Sequence, residues 1–241
     1  MKNLIIFIFF LIMNLAYTQS TGEFFSTALN DNIRKYRLEA ELAYEDGDLE
    51  KGRALFDSLV YNHLIGTQFD NFRFRKFEDD SYFRTNRIDK PFVLITSASW
   101  CVVAEDQIAA LNLLAEEYAE GVEIIILFWD RVDKIIDLSI QYSEKIPVIY
   151  FDETYNRDSK TLKTLKHSLG LPVCFYVDQN KKVVEINRGG VFLPYGTKED
   201  LYSINYNIFK NSVDNLILSS SMATEDEGDG EGIKSNFSPI K

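Results

Sequence analysis

The chain has 241 residues, of which 46% are hydrophobic and 14% aromatic, enough for one well-packed domain with extensions. Its 37 Asp and Glu residues outnumber its 26 Lys and Arg residues, which gives a formal net charge of -11. This acidic balance, without a sustained basic run, argues against nucleic acid as a partner. With two histidines and two cysteines we also expect no metal site and no cofactor, because structural zinc needs four such ligands at close spacing.

The first twenty residues, MKNLIIFIFFLIMNLAYTQS, predict a secretory signal peptide. Lys2 precedes an apolar core from Leu4 to Leu15, and small and polar residues follow it. Because that core is shorter than the roughly 20 apolar residues of a membrane span, we expect cleavage near Ala16–Ser20. Residues 1–18 are assigned to the signal peptide, and the protein is expected to be exported, periplasmic or secreted, and not membrane-spanning after signal removal. The alternative is a buried N-terminal helix.

Residues 19–64 are predicted to form a helical extension. Leu38 and Leu42 before the break EDGD at 45–48, and Leu55 and Leu59 after it, have helical spacing and predict two short antiparallel helices. The stretch AELAYEDGDLEKGRALF resembles one tetratricopeptide-type pair, but a single copy cannot bury its own face. We therefore expect the pair to pack on the main domain rather than to begin a repeat array.

Residues 65–218 are predicted to form the main domain. The pattern FRFR at 72–75, the turn residues EDDS at 78–81 and the following YFRT predict a hairpin. Further strands are predicted at 91–96, 122–129, 146–151, 173–177 and 182–187, and helices at about 101–118, 132–142 and 159–168. This alternation favours an α/β sheet covered on both faces.

The C-terminal region is predicted to contain a helix and then a tail. Leu201, Ile204 and Ile208 have helical spacing and are expected to close the domain. Residues 219–241 contain TEDEGDGEG, which has nothing to bury, and are predicted to be a disordered acidic tail.

Three signatures in this order resemble the thioredoxin-like superfamily, and in particular the exported bacterial thiol–disulfide oxidoreductases of the cytochrome c maturation type. The first is KPFVLITSASWC, a strand that ends in Trp-Cys, and the second is GLPVCFYVDQNKKVV. The third is the spacing between them, which holds two strands and two helices. The resemblance covers about residues 66–190. It implies a thioredoxin-like fold, with a central mixed sheet flanked by helices, and thiol–disulfide exchange with protein thiols or disulfides.

The resemblance also implies roles for single residues. Cys101 corresponds to the nucleophile, at a helix N-terminus that favours the thiolate. Pro172 corresponds to a cis-proline beside that nucleophile. Together with Trp100, Ala104 and Leu171, it implies a groove that binds a peptide segment.

The stretch SWCVVAED departs from the family's pattern. Ala104 stands where the family has a second cysteine, which attacks the mixed disulfide and releases the substrate. Val102 and Val103 are bulkier than the usual residues, and Gln107 stands where several members have a Glu. The carboxylates of Glu105 and Asp106 oppose formation of a thiolate nearby. We therefore interpret the site as a degenerate Cys-x-x-Ala site that has only Cys101 as a thiol.

Other residues near this region have two interpretations each. Cys174 is taken as a buried apolar residue rather than a disulfide partner of Cys101, because a disulfide requires Cα atoms within about 7 Å. Asp130 is taken as the N-cap of the next helix rather than a site ligand. Trp100 either covers the thiol or packs as an ordinary aromatic side chain. His63 and His167 are taken as surface residues.

Two functions are compatible with the sequence. The first is thiol–disulfide exchange through Cys101, and the second is a non-catalytic binding module that retains the groove near Pro172. A one-cysteine peroxidase is disfavoured, because the peroxiredoxin pattern Pro-x-x-x-Thr/Ser-x-x-Cys would need Pro at 94 and Thr or Ser at 98. The chain has Leu94 and Ala98 there.

Overall fold

The computed structural model describes residues 22–101, 103, 105–189 and 198–228. The predicted signal peptide 1–18, Ala104 and the end of the predicted tail, 229–241, lie outside these residues. No helix within the described ranges is both long enough and apolar enough to cross a membrane.

The described elements follow the predicted order. Two helices, α1 (Phe25–Glu45) and α2 (Leu49–Leu59), are joined by the turn at residues 46–48, and α2 continues into a π-helical turn, Val60–Leu64. The main domain and the C-terminal helix follow, in the order β1 (Arg73–Lys76), β2 (Tyr82–Arg84), β3 (Phe92–Ser97), α3 (Glu105–Glu117), β4 (Glu123–Phe128), α4 (Val132–Ser139), β5 (Val148–Tyr150), α5 (Ser159–Thr161) with its π-helical continuation Leu162–Lys166, β6 (Val173–Val177), β7 (Val183–Asn187) and α6 (Lys198–Gly228).

The strands form one mixed sheet in the order β2-β1-β5-β4-β3-β6-β7. Strands β3, β4 and β5 are parallel, whereas β6 and β7 pair antiparallel on one side and β1 and β2 on the other. The predicted hairpin at 72–84 is confirmed and extends the sheet beyond β5. The carboxyl ends of β3, β4 and β5 therefore lie at one edge of the sheet, together with the start of β6 and the end of β7.

Each central strand is buried on both faces, as its continuous apolar sequence predicts. Phe92 and Leu94 of β3 belong to the core under α1 and α2, whereas Val93 and Ile95 belong to the core under α3, α4 and α6. The helical extension is thus part of the fold, because it packs on one face of the sheet together with the α5 segment, which contributes Leu165 and Leu169 to the same core.

The segment that follows α2 forms hydrogen bonds with the start of α1. Gln68 accepts a hydrogen bond from the N–H of Phe25 at 2.8 Å through its carbonyl, and its own N–H donates to Glu23 at 2.9 Å. Two residues later, the buried carboxylate of Asp70 accepts from the backbone N–H and the hydroxyl of Ser26, at 2.8 and 2.7 Å. Lys160 donates to the same carboxylate at 2.5 Å. The start of α1 is therefore held by a carboxylate from another part of the chain rather than by its own N-cap, Phe24.

Two expectations about the C-terminal region are corrected. Helix α6 continues to Gly228, so the predicted tail cannot start at residue 219, and Ser220 is buried. The buried face of the helix is also displaced by one residue from the predicted one, because Leu201 and Ile208 are only partly buried and Ile204 is exposed. The residues it buries are Asn205, Phe209, Ser212, Val213, Leu216 and Ser220. The buried polar residues of this face were not predicted, because a helical pattern of apolar residues does not include them.

Candidate functional site

The candidate site lies at the edge of the sheet where β3 and β4 end and β6 begins. Thr96 pairs with Val173 across the antiparallel β3–β6 ladder. This register brings the loop after β3, which carries Trp100 and Cys101, and Pro172, which precedes β6, to the same edge of the sheet. The side chain of Thr96 donates to the carbonyl of Val173 at 3.2 Å and ties the two strand ends together.

A carboxylate from the neighbouring strand end holds the loop that carries Cys101. Asp130, two residues after β4, accepts two hydrogen bonds from Ser99, from its N–H at 2.7 Å and from its hydroxyl at 2.6 Å. The interpretation of Asp130 as an N-cap is wrong, because α4 is preceded by Arg131 and has no side-chain cap. Asp130 instead orients the segment two residues before the thiol.

We expect Asp130→Ala to loosen the Cys101 loop. The loss of two charge-assisted hydrogen bonds at a solvent-exposed position should lower the free energy of unfolding by about 1–2 kcal/mol, measured by urea denaturation. The rate of Cys101 alkylation should also rise severalfold. Asp133→Ala is the matched control, because Asp133 forms only an exposed ion pair with Arg131 and should cost less than about 0.5 kcal/mol. Equal effects of the two variants would contradict this role for Asp130.

Cys101 lies before the helix and not at its start. Helix α3 begins at Glu105, whereas Cys101 is in a bend whose N–H donates to Ala98 at 2.8 Å. The predicted helix start at residue 101 is therefore four residues too early. The β-branched side chain of Val103 disfavours a helix at that position, and the acidic first turn of α3, Glu105 and Asp106, suits its N-terminus.

The thiol of Cys101 is free and partly exposed, and Trp100 beside it is 68% exposed. Such exposure rules out ordinary core packing for Trp100. An exposed indole next to a partly exposed thiol provides an apolar surface that a partner could cover.

The peptide bond between Leu171 and Pro172 is cis, as the resemblance implied, and both residues are partly exposed. Arg188, just after β7, lies close to this loop. Its Nη1 lies 3.0 Å from where a Cβ on Gly170 would be, and Gly170 has a φ of +82°, which favours glycine. The guanidinium of Arg188 also lies 4.4 Å from the ring centre of Phe56 on α2. Arg188 therefore lies between the helical layer and the segment that precedes Pro172.

Cys174 is sealed in the core, on the sheet face that α3 covers. Burial raises the pKa of its thiol, and the nearby Glu185 carboxylate raises it further. Both cysteines are free thiols in this structure, as the interpretation of Cys174 required.

The histidines lie outside this site. His63 is in the turn after α2 and is exposed. His167 is exposed as well, and its carbonyl accepts a hydrogen bond from Arg37. Among the described residues, no group of three or more His, Cys, Asp or Glu side chains could hold a metal ion.

Two buried polar groups at this edge have no hydrogen-bond partner within the described residues. They are the hydroxyl of Ser97, the last residue of β3, and the indole N–H of Trp129, which follows β4. Buried polar groups are almost always paired. The buried hydroxyls of Tyr176 and Ser220 are also unpaired among the described residues, so such groups are not confined to this edge.

Sequence reasoning missed Asp130 and Arg188 as site residues. The signal for Asp130 was its position directly after a buried strand, where α/β sheets place functional groups. For Arg188 no local signal exists, because its partners Gly170, Tyr36 and Phe56 come from three separate segments.

Comparison with known proteins gives matches to solved structures only. No protein-family model matches the sequence, and no curated protein matches it. A candidate thiol:disulfide interchange protein DsbE from Chlorobium tepidum is 17% identical with a TM-score of 0.47, and the match covers 63% of this chain and 97% of that one. The thioredoxin domain of a thiol-disulfide oxidoreductase from Bacteroides vulgatus is 16% identical with a TM-score of 0.45, covering 64% and 97%.

A third similar structure is the exposed lipoprotein thioredoxin Etrx1 from Streptococcus pneumoniae, with 18% identity, a TM-score of 0.42 and coverage of 60% of this chain and 99% of that one. The architecture of the chain itself carries the assignment of the fold. Three parallel central strands, an antiparallel β6–β7 pair, helices on both faces and a cis-proline before β6 together form a thioredoxin-like fold.

Proposed function

We propose that this protein is an exported thiol–disulfide exchange protein that acts through the single thiol Cys101. The observation that carries the proposal is the contrast between its two cysteines. Cys101 is accessible at the edge of the sheet, next to the exposed Trp100, whereas Cys174 is fully buried. A thioredoxin-like fold presents its reactive thiol at the same strand end, which supports a redox role for Cys101.

The proposed reaction has two steps that need no other residue of this chain as a redox partner. The thiolate of Cys101 attacks one sulfur of a substrate disulfide, so a mixed disulfide forms and the other substrate sulfur leaves as a thiolate. A second thiolate, from the substrate or from a small thiol, then attacks the mixed disulfide and releases Cys101. The second step requires an external thiol because Ala104 supplies none.

Glutathione disulfide tests this proposal directly. At pH 8 the wild-type protein should gain one glutathionyl group by mass spectrometry, Cys174→Ala should gain the same group, and Cys101→Ala should gain none. In an insulin-reduction assay without an added small thiol, the pre-reduced protein should not turn over, since the second step needs a thiol that Ala104 does not supply. Absence of the adduct under excess glutathione disulfide would refute exchange through Cys101.

A non-catalytic binding module is the second candidate. The exposed side chain of Trp100 and the partly exposed Leu171 and Pro172 provide an apolar surface that does not depend on the sulfur. A partner that binds wild-type protein and Cys101→Ala with the same affinity, and is never trapped as a mixed disulfide, would favour this second function.

Export is proposed from the sequence of residues 1–18. Fusion of this segment to a reporter that is active only outside the cytoplasm should give activity. Replacement of Ile5 and Ile6 by Asp should abolish it, because charges in the apolar core block signal-peptide function.

A further inference from the structure

A cleft of about 410 Å³ opens between the β1–β2 hairpin and the end of β5. This volume is in the range of pockets that hold small ligands or single side chains. Aromatic residues supply much of its lining, namely Phe74, Tyr82, Tyr150, Phe151 and Tyr155. Tyr155 is 83% exposed at its mouth, so the cleft presents an aromatic surface to solvent.

The cleft contains two arginines that differ in their partners. The guanidinium carbon of Arg75 lies 3.9 Å from the ring centre of Tyr82, and this arginine also forms an ion pair with Asp80 at 3.8 Å. The guanidinium carbon of Arg73 lies 4.8 Å from the same ring. Within the described part of the chain, the Arg73 side chain has no ion pair and no hydrogen bond. The N–H groups of the Arg73 guanidinium are therefore available to donate hydrogen bonds to a ligand.

The acidic residues of the cleft already have partners. Asp80 accepts a hydrogen bond from the hydroxyl of Tyr150 at 2.6 Å and pairs with Arg75. Asp152 accepts the backbone N–H of Thr154 at 2.8 Å. Arg73 and Asp152 are consequently the charged residues of the lining without an ion pair among the described residues, and Arg73 is the cation of the two.

The cleft lies close to the candidate site along the same edge of the sheet. Val132, in its lining, is two residues from Asp130, whose carboxylate binds Ser99, and Ser99 is two residues from Cys101. Two residues span at most about 7 Å, so the cleft and the thiol are within roughly 20 Å of each other. An extended peptide of about six residues covers that distance.

We propose that this cleft binds an aromatic side chain followed by a carboxylate residue in the protein substrate that reacts with Cys101. The aromatic ring would pack against Tyr155 and Tyr82, and the carboxylate would accept a bidentate, charge-assisted hydrogen bond from Arg73. The identity of the ligand as a substrate segment rests on the proposed function. Binding in the cleft is independent of the thiol and is tested without it.

Trp129 provides a reporter beneath the cleft. Its indole is 4% exposed and packs on Phe151 and Phe74, with ring centres 5.4 and 6.4 Å apart, and both phenylalanines line the cleft. The chain has two tryptophans, so in the Trp100→Phe variant Trp129 is the single source of indole fluorescence. A ligand that enters the cleft should therefore change the emission of this variant.

The experiment titrates the Trp100→Phe variant with the peptide acetyl-Gly-Phe-Glu-Gly-amide. We expect a saturable change, at least fivefold weaker binding of the peptide with Gln in place of Glu, and about tenfold weaker binding after Arg73→Gln. Arg53→Gln is the matched control, because Arg53 is exposed on α2, away from the cleft, and should leave binding unchanged. Circular dichroism on each variant checks that the fold is retained.

The outcomes separate the cleft from the thiol. Equal binding of the Glu and Gln peptides, or no effect of Arg73→Gln, would overturn the assignment of Arg73. Binding of 3-phenylpropionate as tight as that of the peptide would overturn the peptide as the ligand and point to a free aromatic acid. Peptide binding together with no glutathionyl adduct on Cys101 would instead refute the proposed function and leave the cleft assignment intact.

Discussion

Native protein treated with iodoacetamide at neutral pH should be alkylated at Cys101 and not at Cys174. Cys101 is partly exposed at the edge of the sheet, whereas no part of the Cys174 side chain reaches solvent. Burial also raises the pKa of Cys174, which keeps its thiol protonated and unreactive. Reaction at Cys174 should require unfolding, which for a domain of ordinary stability slows it by about 1,000-fold or more. Peptide mapping by mass spectrometry after timed quenching measures both rates.

The controls use the two cysteine variants. Cys101→Ser should abolish native-state labelling, and Cys174→Ala should leave it at one equivalent. In urea above the unfolding midpoint, both thiols of the wild-type protein should react at similar rates. Fast labelling of Cys174 in the native state would show that the core between β6 and α3 opens readily, contrary to the packing described above.

Among single substitutions of polar residues, we expect Asp70→Ala to destabilise the protein most. The buried carboxylate of Asp70 accepts two hydrogen bonds from Ser26 and one from Lys160, so it joins the first turn of α1 to the start of α5. Removing it leaves these donors without their acceptor, and hydrogen bonds to charged groups are the costly ones to lose. We expect the free energy of unfolding to fall by about 3 kcal/mol, which lowers the Tm by about 6–12 °C in a protein of this size.

A double-mutant cycle with Ser26→Ala tests the mechanism of this loss. The two substitutions remove the same hydroxyl–carboxylate contact, so their combined effect should be smaller than the sum, with a coupling of about 0.5–2 kcal/mol. Asp57→Ala, at an exposed position on α2, should change stability by less than about 0.5 kcal/mol. Additive effects of the Asp70 and Ser26 substitutions would contradict the role of this contact.

The local sequence pattern was sufficient to predict most of the strands and helices. The central strands are continuous apolar runs bounded by turn residues, as at 122–129 and 173–177, and each strand appears within two residues of its predicted position. The helical pair was equally clear from its spacing and the break at 45–48. The leucines that revealed α1, Leu38 and Leu42, are nonetheless more than half exposed, whereas Phe25, Leu29 and Ile33 carry its burial. Periodicity showed that the segment is helical but did not show which face packs.

The candidate site was likewise predicted only in part from the sequence. The strand ending in Trp100 and Cys101 and the cis-proline at 172 were recognisable because each is a local signature with a resemblance to known proteins. Asp130 was misread, because the residue after a strand and before a helix is ordinarily an N-cap, and its true partner, Ser99, is 31 residues away. Which of two neighbouring donors a carboxylate binds depends on the packing of β3 against β4.

By itself, the sequence determined the order of the strands and helices, the positions of the two thiols and the absence of a second thiol three residues after Cys101. These properties depend on residue type and local spacing, which the chain carries in every conformation. The tertiary structure alone decided that Cys101 precedes its helix, that Cys174 is sealed, and that Arg188 and Asp130 support the site. It also decided that Arg73, which has no ion pair among the residues described, lines an aromatic cleft near the thiol. These properties arise from contacts between segments far apart in sequence, and only the packing of the sheet and its two helical layers brings those segments together.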